Sequence, residues 1–256
     1  MSVTVNQVAT PVQGANVTSQ QISFSSTPTA GRSAIVTYSG YNSSDRTGQL
    51  TCTDNQGNTY TLTKFSQQTN GSRYQVSATF HAHNIASSGT FTATVGGLAG
   101  SYCNVGMIEA SGLNPAGTPI TASNGASGST NPATCTSGTT SSTSVADAIA
   151  IAVLDYDSDN GASTNIATPS GYTSIYLSNG GQECGSAAYK VLSATGAQSA
   201  SWGTTINPGG EPGVWAAQIV VLEAAGGGGA DTPNSKRSGA IPFARGDSGL
   251  FVPQRF

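Results

Sequence analysis

Four segments of the chain recur in the same order about 110 residues further along. The matched pairs, at offsets of 109 to 114 residues, are Ser33–Tyr38 with Asp147–Ala152, Gly57–Thr61 with Ser170–Thr173, Ser77–Phe80 with Ser186–Tyr189, and Cys103–Gly112 with Ala217–Gly226. Solenoid repeats are much shorter, roughly 20 to 50 residues. We therefore interpret the chain as two related halves, spanning about residues 20–112 and 133–226.

Each half contains short apolar or β-branched runs separated by clusters of Gly, Asn, Asp and Pro, a pattern typical of strands joined by turns. The predicted strands are 20–25, 33–39, 59–64, 74–82, 90–95 and 102–109 in the first half, and 133–139, 147–155, 172–177, 184–192, 198–204 and 214–223 in the second. The chain has 33 Gly and only 8% charged residues. This composition favours β-structure with polar, uncharged surfaces over long helices.

We predict an all-β fold, an antiparallel β-sandwich of jelly-roll-like or immunoglobulin-like type, over residues 1–225. Two tandem sandwiches of roughly 110 residues are an alternative. We prefer a single sandwich in which each half contributes strands to both sheets, because no linker separates the halves. Residues 113–132 are predicted to form a long surface loop.

The predicted strand 74–82 alternates between apolar and polar side chains. One face carries Val76, Ala78, Phe80 and Ala82, and the other carries Gln75, Ser77, Thr79 and His81, followed by His83. Such alternation predicts a half-buried strand whose polar face contacts water.

The chain beyond the second half has a different composition. Gly226–Gly229 is predicted to be a flexible hinge. With four basic and two acidic residues, 226–256 has a net charge of +2, whereas five basic and ten acidic residues give 1–225 a net charge of −5. We predict that this segment is an extended arm that docks on a neighbouring subunit. Its predicted docking residues are Lys236, Arg237, Phe243, Arg245, Phe251, Arg255 and Phe256.

No set of residues predicts an enzyme. Gly246–Gly249 copies the string around a protease serine nucleophile, but it lies at the end of the chain, and the only histidines are His81 and His83. A serine nucleophile requires a histidine base and oxyanion donors around it. We interpret the match as chance and predict no catalytic residues and no cofactor.

Two short motifs have the donor atoms of a metal site. His81 and His83 lie two residues apart on one strand, which suits one metal ion if a third ligand comes from elsewhere. Asp155, Asp157 and Asp159 resemble the start of a calcium loop, but the glycine comes one position late and Ile166 replaces the bidentate Glu. We interpret the histidines as solvated and the aspartates as an acidic turn after strand 147–155, and we predict no metal.

The remaining candidate residues each have a structural and a functional interpretation. Cys52, Cys103, Cys135 and Cys184 have no metal-ligand spacing, and are interpreted as buried thiols or as disulfides. Trp202 and Trp215 are expected to pack in or near the core rather than to form a sugar-stacking platform. Glu109 and Glu223 end equivalent strands, which indicates a shared structural corner rather than the carboxylate pair of a glycosidase.

Charge and hydropathy limit the partners. The chain lacks the basic stripe of a nucleic-acid binder, so no nucleic-acid partner is predicted. It has no apolar stretch approaching the roughly 20 residues of a membrane span, so no membrane partner is predicted either. The segment beginning at Met1 has neither the basic nor the apolar region of a secretory signal, from which we expect synthesis in a cytoplasm.

Several segments resemble a β-sandwich family found in bacterial surface proteins and in phage and prophage structural proteins. They are Asp54–Thr61, His83–Gly89, Glu109–Gly112, Pro169–Thr173 and Trp215–Glu223, and Lys236–Pro242 is similar to the C-terminal extensions of small virion proteins. The resemblance implies a non-catalytic virion protein on a phage capsid or tail, whose partners are copies of itself or capsid or tail subunits. The alternative is a module that binds a carbohydrate or receptor, such as a host-surface glycan, on a bacterial cell surface.

Overall fold

The computed structural model describes residues 2–114, 120–129, 134–143, 145–157, 164–179, 183–206 and 213–225. The arm and its seven predicted docking residues lie outside the described residues. No helix occurs in the ranges given above, so none is present there that could span a membrane. All strand pairs in these ranges are antiparallel, and the sheets pack face to face. The prediction of an all-β antiparallel sandwich is confirmed.

The first half forms one seven-stranded sheet within the described residues. Its strands are β1 (Thr4–Val8), β2 (Val12–Ser23), β3 (Ser33–Asn42), β4 (Thr51–Asp54), β5 (Thr61–Asn70), β6 (Arg73–Ala82) and β7 (Thr92–Ser111). The order is β1-β7-β3-β6-β5, and β2 and β4 also pair with β7. The predicted strands 90–95 and 102–109 are thus one continuous strand. The early part of β7 pairs with β2 and β4, and its later part pairs with β3.

The second half forms a five-stranded sheet, in the order β12-β13-β10-β15-β8, and a three-stranded sheet, in the order β11-β14-β9. The strands are β8 (Ile120–Gly128), β9 (Thr134–Thr139), β10 (Asp147–Asp157), β11 (Thr164–Ile166), β12 (Thr173–Ser178), β13 (Glu183–Ser193), β14 (Ser199–Ile206) and β15 (Val214–Glu223). The surface loop predicted over 113–132 is wrong where β8 forms. This edge strand pairs with β15, whose backbone N–H and C=O groups need partners on that side.

The two halves have the same order of strands around their longest central pairings. In the first half β3 lies between β7 and β6, and in the second β10 lies between β15 and β13. Ala34 lies opposite Glu109, and Ala148 lies opposite Glu223, so both members of the pair shift by 114 residues. The duplication of the two halves stays a prediction, and this matching offset agrees with it at one pair of positions.

The expected sharing of sheets between halves is wrong. Every described strand of the seven-stranded sheet comes from residues 4–111, and every described strand of the five-stranded sheet comes from residues 120–223. Antiparallel neighbours that are close in the chain pair with each other, so each half completes its own sheets. The halves then pack sheet against sheet.

Three apolar cores hold these layers together. The first lies within the seven-stranded sheet, which folds over so that Phe91 and Val95 pack with Val36 and Phe80. The second lies between the five-stranded and three-stranded sheets and includes Trp202. The third joins the two halves, and its aliphatic members include Ile35, Ile108, Ile149, Ile151, Val220 and Leu222.

Candidate functional site

The polar face of β6 is buried between the two halves. Gln75, Ser77 and Thr79 have no exposed side-chain area, and His81 is 2% exposed. The prediction that this face contacts water is therefore wrong. Alternation identified correctly which side chains share a face, but the opposing five-stranded sheet covers both β6 and its neighbours.

The packing between the halves changes from apolar to polar along the strands. On β10 the inward side chains are Ile149, Ile151 and Val153, followed by Asp155 and Asp157. We use the name polar seam for seven of the buried polar residues of this interface. They are Ser39, Gln75, Ser77, Thr79, Asp155, Asp157 and Gln218.

Hydrogen bonds across the polar seam join the two halves. Gln218 Nε2 donates to Thr79 Oγ1 at 2.7 Å. Asp157 Oδ2 accepts from Gln75 Nε2 at 3.0 Å and from Arg73 Nη1 at 3.1 Å, the second of these being an ion pair. Because the Asp157 carboxylate is 1% exposed, the guanidinium supplies the partner that a buried charge requires.

Asp155 lies in a less favourable electrostatic environment than Asp157. Burial raises the pKa of its carboxyl group well above the ordinary value, and the charge of Asp157 raises it further. The backbone N–H of Val76 hydrogen-bonds to this carboxyl group and opposes the rise in pKa. The cost of burying the charged form dominates the shift.

The sheets approach closely beside Asp155. Gly185 lies directly opposite Asp155 on β13, and a β-carbon at position 185 would overlap the side chains of Ser39 and Asn104. The absence of a side chain at this glycine brings Ser39 of the first half against the backbone of the second.

The predicted acidic turn around Asp155 and Asp157 is wrong. Asp155 and Asp157 belong to the inward face of β10, which continues to Asp157, so they do not form an acidic turn. Charged residues are rarely this buried, which is why the sequence favoured a turn. Asp159 lies outside the described residues.

The two histidines lie next to each other, with ring centroids 5.5 Å apart. Burial, together with the neighbouring His83, lowers the pKa of His81 to about 4. The interpretation of His81 as solvated is wrong, because it lies on the covered face of β6. The described ranges contain no group of three or more His, Cys, Asp or Glu side chains arranged to hold a metal ion.

Glu109 is tied into a corner of the first half. The carboxylate is buried and accepts hydrogen bonds from Gln7 Nε2 at 2.7 Å, from the Thr29 backbone N–H at 2.9 Å and from Arg32 Nη1 at 2.9 Å. These contacts stabilise the buried negative charge of the Glu109 carboxylate.

The tryptophans and cysteines belong to the packing. Trp202 is fully buried and donates from Nε1 to Ser186 Oγ at 3.1 Å, and Trp215 packs in the same core, as predicted. The four cysteines form no disulfide with one another in the described part of the chain; three are buried and Cys52 is partly buried. Burial raises the pKa of Cys103 to about 11 and that of Cys135 to about 12, which disfavours the reactive thiolate.

No protein-family model, no curated protein and no solved structure matches the chain.

Proposed function

We propose that the chain is a non-enzymatic structural protein of a phage virion. It lies on the capsid or tail surface, as a decoration, cement, fibre or spike component. Residues 1–225 form the surface body, and residues 226–256 anchor that body to neighbouring subunits.

The placement of the reactive side chains of the body carries this proposal. Glu109 and Asp157 form internal ion pairs with Arg32 and Arg73, and Asp155 lies in the polar seam. Glu109 holds a corner of the first half, and the two aspartates contribute to the packing between the halves. A body of this kind suits a role in which shape and surface, rather than a reacting group, perform the function.

Charge distribution supports the arm as the anchor. The body carries a net charge of −5, and residues 226–256 carry +2 together with three of the seven Phe. Each Phe stabilises a docked arm by roughly 1.5–3 kcal/mol if it becomes fully buried. A partner with an apolar face and an acidic rim, such as the body of another copy, would bind such an arm.

Particle incorporation tests the proposal. We expect truncation after Gly229, or substitution of Phe243, Phe251 and Phe256 by Ala in the full chain, to abolish incorporation while leaving the melting temperature nearly unchanged. Replacing the four basic residues of the arm should weaken incorporation in a salt-dependent way. A matched control replaces three exposed apolar residues of the body, Val8, Leu177 and Val191, by Ala. Wild-type occupancy of the truncated protein would exclude the arm as the anchor.

A carbohydrate-binding module is the second candidate, and one side chain favours it. Tyr102 is 60% exposed, the largest value among the exposed large hydrophobic side chains of the described residues. Exposed aromatic rings provide amphipathic surfaces for ligands. A glycan array with the wild-type protein and a Tyr102→Ala variant tests this alternative, which requires binding that the substitution removes.

A further inference from the structure

The polar seam contains more oxygen atoms than hydrogen-bond donors. Six of its oxygens have no hydrogen-bond partner among the described residues, and all are buried. They are Gln218 Oε1 and a group of five around the two aspartates: Asp155 Oδ2, Asp157 Oδ1, Gln75 Oε1, Ser39 Oγ and Ser77 Oγ. Buried polar atoms without partners are rare in folded proteins, so a group of five at one place requires an explanation.

These oxygens come from adjacent positions on the two sheets. Ser39 and Ser77 are direct cross-strand partners on β3 and β6. Gly185, the cross-strand partner of Asp155, lies against Ser39 Oγ.

Gln75 places its amide in the same group of residues. Its Nε2 donates to Asp157 Oδ2, which fixes its Oε1 close to the carboxylates. Val76, which hydrogen-bonds to the Asp155 carboxyl group, lies between Gln75 and Ser77 in the chain. The group therefore includes two carboxylates, an amide oxygen and two hydroxyls.

The charge of this region is unbalanced when both carboxylates are ionised. Asp155 and Asp157 contribute −2, and Arg73, paired with Asp157 Oδ2, contributes +1. Tyr38, Cys103 and Tyr176 also interact electrostatically with Asp155, and none of them is a basic side chain that could supply positive charge.

We propose that the polar seam binds one hard cation of the Ca²⁺ class, with Asp155 and Asp157 as the charged ligands and Gln75, Ser39 and Ser77 as neutral ligands. Oxygen-only donor sets select such cations over Zn²⁺ or Cu²⁺. The ligands of a Ca²⁺ ion lie up to about 5 Å apart, which fits oxygens that do not hydrogen-bond to one another. Because ligands come from both sheets, the cation joins the two halves.

Thermal melting of the full-length protein tests the site. After EDTA treatment and dialysis, Ca²⁺ should raise the melting temperature by on the order of 5–10 °C when its concentration exceeds the Kd about 100-fold. Mg²⁺ and Na⁺ are measured in parallel as competing hard cations. No stabilisation by any of the three, which is the result expected if only water fills the seam, would overturn the proposal.

Substitutions locate the bound ion. Asp155→Asn and Asp157→Asn keep the shape of the side chain and should abolish the Ca²⁺ shift. The matched control is Asp147→Asn, an exposed position on the same strand, which should keep the shift. A shift that survives in the Asp155→Asn/Asp157→Asn double variant would mean that the ion binds elsewhere, and the proposal would be wrong.

A second measurement tests the site even if the aspartate variants fail to fold. Tb³⁺ substitutes for Ca²⁺, and Tyr176 near the Asp155 carboxyl group can sensitise its luminescence. We expect luminescence from the wild-type protein that Ca²⁺ displaces, and an affinity reduced about tenfold in Ser77→Ala, which removes one neutral ligand. Luminescence that is unchanged by both Ca²⁺ and Ser77→Ala would contradict the proposed site.

Discussion

The Nε2 atom of Gln218 donates a 2.7 Å hydrogen bond to Oγ1 of Thr79, a residue 139 positions earlier in the chain. Both side chains are fully buried. The bond links β15 of the second half with β6 of the first, at the boundary between the aliphatic core and the polar seam. It therefore constrains how the two sheets are aligned.

Removing one partner of this bond should be more harmful than removing both. Thr79→Val keeps the side-chain volume but leaves the Gln218 amide without an acceptor, and should lower the free energy of unfolding by about 1–3 kcal/mol. Adding Gln218→Leu should recover part of this loss, because the buried amide is then removed. Urea denaturation of both single variants and the double variant gives the coupling energy. If the effect of the double variant equals the sum of the two single effects, the bond does not couple the halves.

Asp155 should make the protein less stable as the pH rises. Its pKa is raised on folding from the ordinary value of 3.8, mainly by burial, so the folded state prefers the protonated form. The resulting stability is fully present below pH 3.8 and is lost as the pH rises towards the folded pKa, with a limiting slope of about 1.4 kcal/mol per pH unit.

Urea denaturation from pH 4 to pH 8 in EDTA measures this effect without bound cations. Asp155→Asn should remove the decline, because an amide does not titrate. A wild-type curve that is parallel to that of Asp155→Asn over the whole range would contradict the raised pKa.

His81 should have the opposite effect on stability. Its pKa falls from 6.5 to about 4 on folding because burial disfavours the imidazolium. The contribution of neutral His81 to the free energy of unfolding is therefore present above pH 6.5, and it is lost as the pH falls towards 4. The ring C–H resonances of His81 in an NMR titration should shift near pH 4. His83→Asn serves as the control that identifies the two signals, and a His81 midpoint near 6.5 would disprove burial of the neutral ring.

The central strands could be predicted from sequence because their signal is local. β10 and β15 are apolar runs bounded by turn residues, and β6 shows clear alternation. The edge strand β8 was missed because its small polar residues resemble a loop. It forms because β15 offers an unpaired backbone edge, which no local pattern reveals.

The polar seam could not be predicted for a related reason. Alternation on β6 identifies Gln75, Ser77 and Thr79 as one face, but it does not say what covers that face. Polar residues face water in an isolated sandwich, whereas here a second sheet covers them. The only sequence signal was the pair of aspartates at the end of an apolar strand, and the preference of carboxylates for the surface favoured the wrong interpretation.

Gly185 should be intolerant of any side chain. A β-carbon there would overlap Ser39 Oγ, and its distance to Asn104 Nδ2 would be 2.5 Å, so Gly185→Ala requires these two buried side chains, or the sheets that carry them, to shift. We expect a loss of roughly 1–3 kcal/mol in the free energy of unfolding, typical of overpacking in a dense core. The effect should concentrate in the polar seam, since Asp155 lies opposite this glycine.

Gly203 provides the matched control for this prediction. It also lies in a strand of the second half, but a β-carbon there would meet nothing within 4 Å. Gly203→Ala should therefore change the free energy of unfolding by no more than about 0.5 kcal/mol. Chemical denaturation of both variants under the same conditions gives the comparison. If Gly185→Ala were as stable as Gly203→Ala, the close approach of the two sheets at Ser39 would be wrong, and with it the shared position of Ser39 and Asp155 in the polar seam.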